Sequence, residues 1–180
     1  MKVERHGVTL ELVRGDIARQ EGFDAVVNAA NARLVSGGGV AGSIHRAAGP
    51  GLAEECRPLA PIEPGQAVAT GAHGLPNRRV IHCLGPVWGR DEPAEALLRS
   101  CYRRALRLAE EEALASVAFP ALSTGAFGYP VQAAARAALD EVLAALPGLD
   151  SVRRIRFALF GEEALAAHEE ALRALLSEEG

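Results

Sequence analysis

Residues Gly37-Gly38-Gly39-Val40-Ala41-Gly42 place a run of glycines at the start of a stretch of helical composition, Val40 to Ala48. Three successive glycines remove every Cβ that would keep backbone N–H groups away from an anion, and a helix N-terminus adds a favourable dipole. A diphosphate cradle is the chemistry this arrangement suits; a tight turn is the plain alternative. A second loop, Ser123-Thr124-Gly125-Ala126-Phe127-Gly128, brings two hydroxyls and two glycines to another strand end. Those groups suit phosphate or ribose oxygens. Two such loops on one sheet point to an extended, phosphate-bearing ligand.

Three polar residues stand at comparable places. Asp16 follows Gly15 where a strand ends, and it either caps the segment beginning at Ile17 or accepts from the exocyclic amine of a base. Asn28 and Asn31 flank Ala29-Ala30 at a second strand end. An asparagine there offers an amide to a ligand, or simply tolerates an unusual backbone conformation.

Several other chemistries are excluded by spacing. Gly37 to Gly42 spell G-x-G-x-x-G, but a nicotinamide-binding fingerprint needs its glycines directly after the strand and an acid about 20 residues on. Here the glycines begin several residues past Ala30, and the acid near that distance, Glu63, lies in Pro-Ile-Glu-Pro, which is no strand end. There is no Walker lysine and no G-x-S-x-G elbow, and Ser43 and His45, two apart, do not face each other on a helix. The five histidines lack metal spacing, and no metal site is expected. His45 reads as a satisfied helix histidine.

These residues need strands and helices to position them. Val8 to Val13, Ala25 to Ala30, Arg79 to Leu84, Ser116 to Pro120 and Arg154 to Phe160 read as strands. Helical patterns fall over Val40 to Ala48, stopped by Gly49-Pro50, over residues 94 to 114, from Pro130 through Leu146, and from Leu165 to Leu176. Arg57 to Gly65 reads as a Pro-rich loop. Strands alternating with helices argue for an α/β sheet covered on both faces. Ligands of such folds sit outside the carboxyl ends of the strands. Gly15-Asp16-Ile17, Asn28 to Asn31, Ser123 to Gly128 and Phe160-Gly161 are therefore where a site is expected.

The chain has 180 residues, 49% hydrophobic and 23% charged, with a net charge of −4. That balance excludes disorder and predicts a single globular domain over residues 1–180. The N-terminus MKVERHGV lacks the apolar core of a signal peptide, and no apolar run approaches a bilayer span, so a cytoplasmic protein without membrane partners is expected. Cys56, Cys83 and Cys101, an odd and widely spaced set, read as buried reduced thiols. Lys2 is the single lysine, and the arginines interleave with glutamates along helices. This is the pattern of solvated helix faces, and it predicts no sequence-specific nucleic-acid binding.

Taken together, these segments resemble the macrodomain family. The resemblance rests on Gly15-Asp16-Ile17, on Val26-Val27-Asn28-Ala29-Ala30-Asn31, and on Gly37 to Gly42 with Ile44-His45-Arg46-Ala47-Ala48-Gly49. It continues through Gly65-Gln66-Ala67, Thr70-Gly71, Val80-Ile81-His82, Gly85-Pro86 and Ala118 to Gly125, in the family's order. It implies a three-layer α/β/α fold with a central mixed sheet that binds ADP-ribose, its derivatives and ADP-ribosylated proteins, with no cofactor. Under it, Asp16 accepts from the adenine 6-amino group, the Ile17 backbone N–H lies near the ring, and Phe160 stacks on the base. Gly38, Gly39, Val40, Ala41 and Gly42, with Ser123, Thr124, Gly125, Ala126 and Phe127, close around the diphosphate, and Gly37 belongs to the ligand-binding set. Asn28 joins the ligand-binding set, and Asn31 holds the distal ribose and acts as the catalytic residue.

Members of this family either only bind ADP-ribose or hydrolyse it from a carboxylate, an acetyl group or a phosphate. Many bacterial hydrolases carry an Asp directly after the Val of the glycine loop, where this chain has Ala41. Others with Val-Ala at this place are also described as hydrolases. For these, a water held by Asn31 and the ligand's own diphosphate is the expected nucleophile, acting on ester-type derivatives. A non-catalytic binding module is the alternative.

Overall fold

Strands that are apolar on both faces need cover on both. The strand β3 (Ala25–Ala29) is such a strand, with Ala25, Val26, Val27 and Asn28 all buried, and β6 (Ser116–Phe119) is buried throughout. In the computed structural model, which describes residues 1–180, they lie at the centre of a seven-stranded sheet. The remaining strands are β1 (Lys2–Arg5), β2 (Val8–Arg14), β4 (Ala67–Gly71), β5 (Arg79–Cys83) and β7 (Arg154–Leu159). Their order is β1-β2-β7-β6-β3-β5-β4. The five inner strands run parallel, and β1 and β4 pair antiparallel at the two edges. The sheet is mixed, as the family resemblance implied.

The period of two along each strand divides the core in two. Val27, Ile81, Val117, Phe119, Ile155 and Phe157 face a larger cluster built with α3 (Ala94–Glu111), α4 (Val131–Ala145) and α5 (Glu162–Glu178). Val26, Val80, Ala118 and Ala158 face a smaller cluster that includes Ile44, Ala48, Leu52 and Cys56 of α1 (Gly39–Ala48) and α2 (Pro50–Cys56). Three helices cover one face and two the other, giving a three-layer α/β/α architecture. In the larger layer Tyr102, Phe119 and Phe157 pack as an aromatic group, with ring centroids 5.3 to 5.9 Å apart.

The structure amends the expected elements in a few places. The edge strands β1 and β4 are additional, and Pro50 does not only end α1 but opens α2, where its missing N–H is harmless. The α3 helix ends at Glu111, and Pro130 is the N-cap of α4 rather than part of its first turn. The segment after Asp16 is a turn, not a helix: Asp16 Oδ1 accepts from the Ala18 N–H at 2.9 Å, and the chain bends there without continuing. Cys56, Cys83 and Cys101 are free and buried. No helix is long and apolar enough to cross a membrane.

Candidate functional site

The carboxyl ends of all five parallel strands lie along one side of the sheet. Neighbouring ends are tied directly: Gly15 N–H donates to Leu159 O, and Ala30 N–H to Cys83 O, each at 2.9 Å. Between the ends of β3, β5 and β6 lies a cavity of about 340 Å³. Gly37 to Ala41 wall it on one side, and Ala121, Leu122, Ser123 and Gly125 to Phe127 on the other. Ala29, Ala30, Asn31 and Gly85 complete the lining. Asn31 and Ser123 contribute the polar side chains of this wall, and none of the lining side chains carries a charge.

The glycine loop enters α1 with nothing of the protein occupying its start. Gly38, the N-cap, makes no side-chain capping bond, and the first turn carries no acid. The positive end of the helix dipole and its unpaired N–H groups are thus left for an external anion. The loop is braced from behind. Asn31 Oδ1 accepts from Val35 N–H at 3.1 Å, and Asn31 Nδ2 donates to Val35 O at 2.8 Å. Ile62 N–H adds a bond to Ala32 O at 2.9 Å.

The second loop is fastened to α3. Leu122 N–H donates to the buried Tyr102 hydroxyl at 3.3 Å, and Cys101 Sγ donates to Leu84 O at 3.2 Å at the neighbouring strand end. One helix therefore sets the height of two walls. Ser123 stands at a φ of +66°, uncommon for a residue with a Cβ, and its buried hydroxyl has no hydrogen-bond partner. It approaches Gly85 so closely that a Cβ at residue 85 would collide with Ser123 Oγ. Downstream, Trp88 N–H donates to Phe127 O at 2.8 Å, and the Trp88 ring leans on Tyr129, centroids 4.7 Å apart.

Asp16, Ile17 and Phe160 lie at the ends of β2 and β7, outside the cavity wall but on the same side of the sheet. Phe160 is 85% exposed, an aromatic face without cover. Arg14 holds its backbone, with Nε 3.4 Å from Phe160 O and Nη1 2.9 Å from Glu162. The Ile17 side chain is buried in the smaller core, so that its backbone is what could meet a ligand. Thr124 and Gly42 are likewise outside the cavity wall; a Cβ on Gly42 would strike the Gly37 carbonyl, so its part is to let the loop fold onto α1.

Asn28 needs correction. It shares a strand face with Val26 and is 1% exposed, and its side chain does not line the cavity. Asn28 Nδ2 donates instead to His82 Nδ1 at 3.1 Å, and His82 Nε2 lies 3.0 Å from Thr70 Oγ1, which passes its own proton to Gly71 O. Burial pushes the His82 imidazole down to about 4, so the ring is neutral and can accept at one nitrogen while donating at the other. This relay stitches β3, β5 and β4 beneath the site. Ala29 and Ala30 lie in the strand end where a site was expected, but Gly85, Ala121 and Leu122 are lining residues that sequence reasoning missed. Gly85 had a signal, since Leu84-Gly85-Pro86 follows a strand as the other loops do; Ala121 and Leu122 had none.

The chain is similar in sequence and fold to known proteins. A Macro domain family model matches residues 27–138. A macro domain-containing protein of Streptomyces coelicolor is 48% identical over 167 residues, which is 89% of this chain and 95% of that protein. The O-acetyl-ADP-ribose deacetylase of Enterobacter cloacae is 42% identical over 168 residues, 91% of this chain and 93% of its own. Among solved structures, the Oceanobacillus iheyensis macrodomain with ADP superposes with a TM-score of 0.95 at 37% identity, covering 99% and 97% of the two chains. The Trypanosoma brucei macrodomain in complex with ADP-ribose gives 0.84 at 39% identity, covering 91% of this chain and 68% of that one. With the family model, the sequence identity and the superposition in agreement, the chain belongs to the macrodomain family.

Proposed function

We propose that the protein binds ADP-ribose and hydrolyses ester-type derivatives of it, O-acetyl-ADP-ribose or mono-ADP-ribosylated Glu and Asp. The observation that carries this reading is the uncharged cavity between two glycine-bearing loops, open to a capless helix N-terminus. Such a cradle holds a diphosphate by backbone N–H groups rather than by paired cations. Asp16 and Phe160, at neighbouring strand ends, suit an adenine. Asn31 then faces the distal ribose. The name of the Enterobacter relative and the ligands of the two solved neighbours support the same reading.

Ala41 at the head of α1 leaves the cavity without a carboxylate to act as base. A water held by the Asn31 amide and a ligand phosphate oxygen is the nucleophile. At an anomeric ester it attacks the sugar carbon and expels a carboxylate, which needs no acid to leave. At an acetyl ester it adds to the acyl carbon, and the ribose oxygen leaves, takes up a proton and yields ADP-ribose and acetate. Arginine- and serine-linked ADP-ribose require acid assistance that the lining does not offer, so they are not substrates. The same lack of a carboxylate favours a second reading, a module that binds ADP-ribose without turnover.

Calorimetry with ADP-ribose and turnover of O-acetyl-ADP-ribose and of Glu-linked substrate test both. Asp16→Ala is expected to weaken ADP-ribose binding by roughly 1–3 kcal/mol while scarcely altering binding of the hypoxanthine analogue. Binding without release of acetate or free ADP-ribose would leave the second reading standing. No binding at all would overturn both.

A further inference from the structure

Beside the proposed base site, on the sheet face that α1 and α2 leave open, lies a buried polar chain with no part in the diphosphate cradle. Gln20 is 4% exposed, and both polar atoms of its side chain are engaged. Its Nε2 donates to Asp16 O at 2.8 Å, and its Oε1 accepts from Arg156 Nη1 at 3.1 Å. Its backbone carbonyl accepts from Asn77 Nδ2 at 2.7 Å. Arg156 in turn donates through Nη2 to Glu11 Oε2 at 3.1 Å, and Arg154 Nε reaches Glu11 Oε1 at 2.6 Å. Both guanidinium groups sit over the Phe23 ring, 4.4 and 4.6 Å from its centroid. Burial works to raise the Glu11 carboxyl, but the two arginines outweigh it and hold it below the ordinary range. Glu11 therefore stays charged and holds Arg156, from which the donors run to Gln20 and on to the Asp16 carbonyl.

The chain ends on the backbone of Asp16. Asp16 uses Oδ1 to bend its own turn, accepting from Ala18 N–H, while Oδ2 has only Arg19 Nε, at 3.8 Å. Gln20 Nε2 and Arg19 N–H both hold the Asp16 carbonyl and so fix its backbone, and the Oδ1 bond to Ala18 N–H then sets the direction of Oδ2. We propose that Gln20 is a positioning residue for base recognition, clamping Asp16 so that Oδ2 is presented to the exocyclic amine of the adenine. This deepens the reading of Asp16 given above and rests on it. An amide meets the requirement, since the position must donate to one neighbour and accept from the other. Glutamate would keep Arg156 but set a carboxylate against the Asp16 carbonyl.

The test measures ADP-ribose and its hypoxanthine analogue by calorimetry in the unaltered protein, Gln20→Glu, Gln20→Met and the combination of each with Asp16→Ala. Both Gln20 variants should reduce the preference for adenine by about fivefold or more, with affinity for the hypoxanthine ligand within about twofold, and neither should change it further once Asp16 is Ala. Gln20→Met keeps the volume of the side chain and serves if the charged variant fails to fold. A cooperatively folded Gln20 variant with undiminished preference overturns the proposal, as does an equal loss for both ligands or an undiminished effect in the Asp16→Ala background. An unaltered protein that binds ADP-ribose without preferring adenine overturns the assignment of Asp16, and this inference with it.

Discussion

The Asn31 side-chain amide is doubly bonded to the backbone of Val35, one bond in each direction, and so closes the loop that feeds the glycine cradle. The residue proposed to orient the attacking water is thus also a brace. Its oxygen and its nitrogen each keep one further hydrogen-bonding position, directed by the brace rather than free to rotate.

Asn31→Ala should accordingly separate two quantities. An amide on a sugar hydroxyl adds little to a ligand anchored by diphosphate and base, so affinity should fall by about tenfold or less. Orientation of the water is worth more, and turnover of O-acetyl-ADP-ribose should fall by about a hundredfold or more. Loss of the two Val35 bonds should also lower stability by about 1–2 kcal/mol. Equal losses of affinity and turnover would reduce Asn31 to a clamp.

Much of this site was legible before any coordinates, and the reasons are local. The glycine loop and Ser123 to Gly128 announce themselves because glycines leading into a helix, and glycines with hydroxyls after a strand, both suit an anion. Asn28 misled because its neighbour in the motif, Asn31, is a loop residue while Asn28 is still in the strand. The period of two, applied strictly, places Asn28 with Val26 in the buried layer. The edge strand β1, Lys-Val-Glu-Arg, is mostly exposed and carries no alternation to read, and β4, Ala-Val-Ala-Thr-Gly, is short, small-residued and only partly buried outside Thr70. Gln20 could not be found from sequence, since its role depends on Arg156 from a strand 136 residues away.

The cradle itself is tested at Gly38, whose φ of −85° suits any residue and around which an added Cβ meets no protein atom within 4 Å. Gly38→Val should therefore cost only about 1 kcal/mol of stability, through its weaker N-cap. A branched side chain at the mouth of the N–H groups should still lower ADP-ribose affinity by about thirtyfold or more, while adenosine binding stays unchanged. If calorimetry showed ADP-ribose binding intact, the diphosphate would have to lie elsewhere.

Gly85 and Ser123 make a pair whose coupling can be measured. Gly85→Ala drives a methyl into Ser123 Oγ and should cost about 1–3 kcal/mol, with a matching loss of ligand affinity as the second loop is pushed outward. Ser123→Ala alone removes a hydroxyl that has no partner and should be nearly neutral for stability. The double variant should recover most of the loss in chemical denaturation, because the collision is with the hydroxyl oxygen. Additive losses would mean that the two walls are not held apart by this contact.

The buried relay gives the fold a dependence on pH in a range where most proteins are flat. His82 has its imidazole lowered from 6.5 to about 4, by burial first, and by the nearby His45. Above pH 6.5 the ring is neutral whether the chain is folded or not, and it contributes no slope. Between pH 6.5 and 4 the unfolded chain takes up a proton that the folded one refuses, so stability falls with falling pH. The full difference is about 3 kcal/mol, and about 2 kcal/mol of it appears between pH 6.5 and 5. That upper window isolates histidine, because Glu11, Glu55, Glu110 and Asp91 all have carboxyls held below their ordinary values and remain charged there. His45 and His168 are lowered by burial and add to the slope with the same sign. His82→Gln should therefore lower stability at pH 7.5, where the relay to Asn28 and Thr70 is disturbed, and yet flatten the decline between pH 6.5 and 5. Urea unfolding at four pH values would show this, and a variant with the parental slope would mean that His82 is protonated in the folded protein.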